Sequence, residues 1–126
     1  MRILVVDDEI VVAELLADAV RSQGHEVTVV NDPHEGLRLL RQLGTDAVFL
    51  DVYMPEMSGI EFLRRLRRTH PTLPVILVTG QARPDDIDEA RRLGVADIVE
   101  KPRIIKNLSH ALASLQRSSF DPDAGR

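Results

Sequence analysis

Leu50-Asp51-Val52-Tyr53-Met54-Pro55-Glu56-Met57-Ser58-Gly59 carries an apolar run into a carboxylate and then breaks into a turn containing Pro55 and Gly59. Asp51 directly follows Ala47-Val48-Phe49-Leu50, which predicts an acid at the carboxyl end of a buried strand. In open α/β sheets that edge is where ligands and reacting groups collect. The chemistry of the chain is therefore placed at Asp51.

On either side of this stretch, short aliphatic runs alternate with segments of helical period. Ile3–Val6, Val27–Val30, Ala47–Leu50, Val75–Val78 and Ala96–Val99 have the length and continuity of strands covered on both faces. Between them, Val12, Leu15, Leu16, Ala19 and Val20, with Gln23 at the fringe, predict the apolar face of a first helix that Gly24 stops. Asn31-Asp32-Pro33 opens a second helix carrying Leu37, Leu40 and Leu43 before Gly44. A third starts near Ser58 with Ile60, Phe62, Leu63 and Leu66, and Pro71 and Pro74 punctuate its end. Pro84-Asp85-Asp86 begins a fourth with Ile87, Ala90 and Leu93, stopped by Gly94. Ile105, Leu108, Leu112 and Leu115 predict a fifth. Strict β-α alternation implies a parallel sheet with right-handed crossovers and helices on both faces.

Composition narrows the function classes. With 126 residues, 44% hydrophobic content, three Phe, one Tyr and no Trp, the chain predicts one domain with an aliphatic core, residues 1–117, followed by a polar tail, 118–126. The absence of cysteine excludes disulfides, thiolate metal sites and a cysteine nucleophile, and suits a reducing cytoplasm. No apolar run approaches the roughly 20 residues needed to cross a bilayer, so a soluble chain is expected. A net charge of −4 and a pI of about 5.5 argue against direct nucleic-acid binding by the domain. Arg64, Arg65, Arg67 and Arg68 form the densest basic run, read as a solvated helix face paired with Glu61. His25, His34, His70 and His110 show no metal-ligand spacing.

The alternation brings Asp7 and Asp8 after strand one, Asp51 after strand three, Thr79 after strand four and Lys101 after strand five to one sheet edge. Each of these residues alone reads equally well as a helix cap or a surface charge. Together they predict a cleft holding three acids, a hydroxyl and an ammonium. Crowded carboxylates need a cation or raised pKa values, and an all-oxygen set without His or Cys favours Mg²⁺. Phosphoryl transfer requires a nucleophile, a metal and donors to the equatorial oxygens. Asp51 supplies the first, Asp7, Asp8 and Asp51 hold the second, and Lys101 and Thr79 provide the third.

Asp7-Asp8-Glu9, the Asp51–Gly59 stretch, Thr79-Gly80 and Lys101-Pro102 together resemble the receiver domain of two-component response regulators, over residues 1 to about 117. The resemblance implies a flavodoxin-like (βα)5 three-layer sandwich with strand order 2-1-3-4-5. It implies that Asp51 accepts a phosphoryl group from a phosphohistidine on a sensor histidine kinase or histidine phosphotransfer protein. Mg²⁺, with Mn²⁺ able to substitute, would be held by Asp8, Asp51 and the main-chain carbonyl of Tyr53, with Asp7 in support. A cis Lys101–Pro102 bond, kinase docking through Ile10 and Val11, and a homodimer through helix four, strand five and helix five follow from the same resemblance. For Ile10 and Val11, packing beneath the neighbouring loops is the competing reading.

One departure stands out. Receivers usually carry Tyr or Phe three residues before the lysine, where this chain has Ile98. Ile98 reads either as strand filler or as loss of a ring-based readout, in which case output runs through the loops after strands three and four with Gly80 as the flexible point. Tyr53 and Gln81 lie two residues past Asp51 and Thr79; the resemblance implies that these positions border the path of hydrolytic water, which a bulky Tyr53 would hinder. Two rival functions are set beside the switch. An aspartyl-nucleophile phosphatase would want an acid where Tyr53 stands, and an interaction module of the same fold would work without phosphorylation.

Overall fold

A computed structural model describes residues 1–42, 44–80, 82–101 and 114–115. The elements are β1 (Arg2–Val6), α1 (Ile10–Arg21), β2 (Glu26–Val30), α2 (Pro33–Gln42), β3 (Ala47–Asp51), α3 (Gly59–Thr69), β4 (Val75–Thr79), α4 (Pro84–Arg92) and β5 (Asp97–Glu100). All strand pairs are parallel, in the order β2-β1-β3-β4-β5. This is the flavodoxin-like order expected. The fifth helix lies outside the described residues except for Ser114 and Leu115, and so do the Lys101–Pro102 bond and the 118–126 tail.

Although β1, β3 and β4 read as continuous apolar runs, the pleat divides each between two cores. Leu4, Val6, Val48, Leu50 and Leu77 face α2, α3 and α4, where Leu40, Phe62, Leu63, Leu66 and Ala90 meet them. Ile3, Val5, Ala47, Phe49, Ile76 and Val78 face α1 and Leu115. Gly24 (φ 91°) and Gly94 (φ 76°) end their helices in the left-handed region, as their positions predict. Ser58 caps α3 by accepting from the Glu61 N–H at 3.1 Å.

The structure corrects two surface expectations. On α1 the buried residues are Ala13, Leu16, Ala17 and Val20. Leu15, expected in the apolar face, is 57% exposed. The two alanines let the helix approach the sheet closely, and the i, i+3, i+4, i+7 stripe they form turns Leu15 outward. In the arginine run, Arg64 and Arg65 pair with Glu61 as expected, and Arg64 also reaches Glu89 on α4. Arg67 instead turns inward. Its guanidinium donates to the carbonyls of Leu93 (2.6 Å), Leu73 (2.7 Å), His70 (3.1 Å) and Gly94 (3.2 Å). It thus serves carbonyls in the segments that follow α3 and α4.

Register decides the site. Val6 pairs with Leu50, Asp51 with Val78 and Thr79 with Glu100. Asp7, Asp51, Thr79 and Lys101 therefore leave the sheet within one residue of the same level.

Candidate functional site

Three loops build the cleft. In the first, the Asp7 N–H donates to the Val30 carbonyl at 3.1 Å, Asn31 Nδ2 donates to the Asp7 carbonyl at 2.9 Å, and Asp7 Oδ1 accepts from the Glu9 N–H at 2.9 Å. Those bonds fix the turn between β1 and α1 and aim Asp7 and Asp8 across the sheet edge. In the second, Val52, Met54 and Met57 are buried and anchor the chain between β3 and α3. Gly59 closes that loop, its N–H donating to the Val52 carbonyl at 2.5 Å. A Cβ at Gly59 would stand 2.1 Å from the Asp51 carbonyl oxygen, so only glycine fits. The third, after β4, carries Gly80 into α4.

At the centre, Asp7, Asp8 and Asp51 each offer a carboxylate oxygen, all within 4.8 Å of one another. Asp7 and Asp51 are each 3% exposed, and Asp8 is half-buried. Lys101 Nζ lies 3.3 Å from Asp7 Oδ2 and 3.4 Å from Asp51 Oδ2, and also pairs with Glu9 Oε1. Although that ammonium is near, Asp51 Oδ2 is buried and has no hydrogen-bond partner among the described residues.

Charge follows from this crowding. Burial first, and the neighbouring Asp7 charge second, push the Asp51 carboxyl up to about 7 against the pull of Lys101. Burial also raises Asp7, opposed by the Glu9 N–H and Lys101. Burial works against the Lys101 charge, but Glu9, Asp51 and Asp7 together raise its pKa. Three carboxylates with an orphaned oxygen and an all-oxygen donor set suit a hard divalent cation. The acidic cluster is thus a site that can hold a metal.

Most sequence-predicted residues converge here. Above the acids opens a cleft of about 860 Å³ lined by Glu9, Asp51, Tyr53, Gly80, Ala82, Arg83, Pro84 and Lys101. Thr79 is buried at the end of β4. Ile98, by contrast, packs half-buried against the core on the α2–α4 side and does not line the cleft. Ile10 and Val11 are 61% and 74% exposed at the start of α1. Pro102 lies outside the described residues.

Glu9 was quoted in the sequence motif without a role, yet it is a partner of Lys101. Asp86 and Arg83 were missed as site neighbours: the Tyr53 hydroxyl donates to Asp86 Oδ2 and accepts from the Arg83 N–H. Nothing local signals these three contacts, since the partners are 92, 33 and 30 residues apart.

Comparison with known proteins agrees with this geometry. The response regulator receiver domain family matches residues 3–113. The probable transcriptional regulatory protein TcrX of Mycobacterium tuberculosis is 37% identical over 91% of this chain and 49% of its own length. The regulatory protein AtoC of Escherichia coli is 41% identical over 80% of this chain and 22% of its own. The chain therefore spans about half or less of these relatives. Among solved structures, the receiver domain of NtrX from Brucella abortus superposes with a TM-score of 0.82 at 30% identity, covering 90% of this chain and 98% of that one. A CheY-like receiver domain protein from Methanospirillum hungatei superposes at 0.87 with 24% identity, covering 93% and 94%, and shares the fold. With a matched stretch that takes in the acid cluster and Lys101, the chain belongs to the response regulator receiver domain family of two-component systems.

Proposed function

We propose that this receiver takes a phosphoryl group on Asp51 from a phosphohistidine on a sensor histidine kinase or histidine phosphotransfer protein, and that the modified state changes its partner binding. One observation carries the reading: a buried Asp51 oxygen without a hydrogen bond among the described residues, on the wall of an open cleft, with two acids and an ammonium around it. In the transfer the N–P bond of the donor breaks, its electron pair returns to the imidazole nitrogen, and an Asp51 oxygen bonds to phosphorus.

Lys101 offsets the charge of the attacking carboxylate and, released from Glu9, reaches the phosphoryl oxygens. Thr79 donates its hydroxyl to them. Asp7, Asp8, Asp51 and the Tyr53 main-chain carbonyl would hold Mg²⁺, or Mn²⁺ in its place, which supplies the positive charge that lets a phosphoryl group approach three acids. The only chemistry assigned is gain and loss of this group, as befits a signalling switch.

The exposed side chains of Ile10, Val11 and Leu15 lie beside the cleft or on the same helix and offer the donor an apolar docking surface. A cytoplasmic setting suits such a donor, and no helix of the described residues is long and apolar enough to cross a membrane. Dimerisation through α4, β5 and the fifth helix belongs to this reading, as does output through the loops after β3 and β4 with Gly80 as the flexible point. In this reading the receiver spans residues 1–117.

Intact mass after incubation with Mg²⁺ and acetyl phosphate, then with a phosphorylated histidine kinase, tests the proposal. A single phosphoryl adduct that needs the metal and disappears in Asp51→Asn is expected. No adduct from either donor would refute it and leave a phosphorylation-independent interaction module.

A further inference from the structure

Tyr53 joins two loops across the wall of the cleft. Its hydroxyl accepts from the Arg83 N–H at 3.1 Å and donates to Asp86 Oδ2 at 3.0 Å. Arg83 is the N-cap residue of α4, its side chain makes no capping hydrogen bond, and Pro84 follows it. In a capping box, Glu or Gln at the third helical position reaches back to the N-cap N–H. Here that position is held by Asp86, one methylene shorter than Glu, and the Tyr53 hydroxyl stands between its carboxylate and the N–H. The helix start is thus completed by a residue from the loop that follows Asp51.

We propose that Tyr53 is a positioning residue that carries the state of the Asp51 loop to the first turn of α4 through this interrupted capping box. The inference rests on the phosphoacceptor reading of Asp51. Val52 and Met54, on either side of Tyr53, are 0% and 7% exposed, so the Tyr53 backbone follows the end of β3 rather than moving independently. Its ring has few rotatable bonds, and the hydroxyl is held at both its donor and its acceptor functions. A displacement at Asp51 is therefore passed to Arg83 and Asp86. Ile98, aliphatic and packed against the core, has no side-chain hydrogen-bonding group to exchange in this way. Coupling of this kind is a free energy shared by both ends, so breaking the link at α4 must lower the response there to events at Asp51.

The test is amide NMR of the whole chain with and without Mg²⁺ and beryllofluoride, a phosphoryl analogue, in the native protein, Asp86→Ala and Tyr53→Phe. In the native chain the analogue is expected to shift the amides of Asp51 and Val52 and those of Arg83 and Ile87. Each variant should cut the shifts at Arg83 and Ile87 by about twofold or more, while the loop amides of Asp86→Ala still respond. A merely structural role would alter α4 equally in both states and leave the analogue-dependent difference intact. Undiminished shifts at Arg83 and Ile87 in both variants would overturn the inference and leave the phosphoacceptor reading standing. No loop response in the native chain would overturn both.

Discussion

Replacing Asp51 by Asn probes the electrostatics of the cleft without any phosphodonor. In the metal-free protein, burial and the Asp7 charge push the Asp51 carboxyl from its ordinary 3.8 up to about 7. A carboxyl whose folded value is raised binds its proton more tightly folded than unfolded. The folded state therefore gains stability as pH falls through about 7 and loses it as pH rises, until the cost is complete above that value. The full displacement corresponds to about 4 kcal/mol, which local relaxation and water entry reduce to about 2 kcal/mol. Asn removes the charge and nearly keeps the shape. Asp51→Asn in EDTA at pH 8 should then unfold about 5–8 °C higher than the native protein, with the gap narrowing toward pH 4. Thermal unfolding followed by circular dichroism measures it. Millimolar Mg²⁺ should close the gap by stabilising the native chain far more than the variant. A variant no more stable than the native protein in EDTA at pH 8 would refute the reasoning, because the orphaned oxygen would then be adequately solvated.

Further perturbations follow from particular contacts. Arg67→Ala removes the guanidinium that donates to four carbonyls in the segments after α3 and α4 and should cost about 2–3 kcal/mol in urea unfolding, with Arg67→Lys recovering only part. Gly59→Ala drives a Cβ against the Asp51 carbonyl and should destabilise by about 2 kcal/mol or more while slowing labelling by acetyl phosphate. Val11→Asp combined with Leu15→Asp should slow transfer from a histidine kinase at least about tenfold, equivalent to roughly 1.4 kcal/mol, and leave acetyl phosphate labelling unchanged. Tyr53→Asn should shorten the lifetime of the phosphorylated protein, followed by loss of the mass adduct; an equal or longer lifetime would count against Tyr53 as a barrier to water.

The candidate site was legible in the sequence to the extent that it depends on strand ends. Asp7, Asp8, Asp51, Thr79 and Lys101 each follow an apolar run, and a parallel sheet needs only its alternation to bring such positions to one edge. Helix stops at Gly24 and Gly94 and the start of α3 at Ser58 were legible for a similar reason: each depends on backbone preferences within a few residues. The face of α1 was not. Val12, Leu15, Leu16, Ala19 and Val20 fit a helical period about as well as Ala13, Leu16, Ala17 and Val20, and hydrophobicity alone favours the larger side chains. Closeness of approach to the sheet favours the alanines, and it won.

By itself, then, the order of apolar runs, turn residues and acids determined the class of fold and the sheet edge where the acids gather, since these rest on local periodicity and on chain direction through a parallel sheet, while the family was legible in the motifs around Asp7, Asp51, Thr79 and Lys101. Only the tertiary structure decided which partner each polar group takes. Arg67 leaves a row of paired arginines to bind carbonyls up to 27 residues away, Lys101 meets Glu9 as well as Asp7 and Asp51, and Tyr53 reaches Arg83 and Asp86. Those choices depend on register and on how closely helices approach the sheet, which are set by packing over the whole chain and have no period in the sequence.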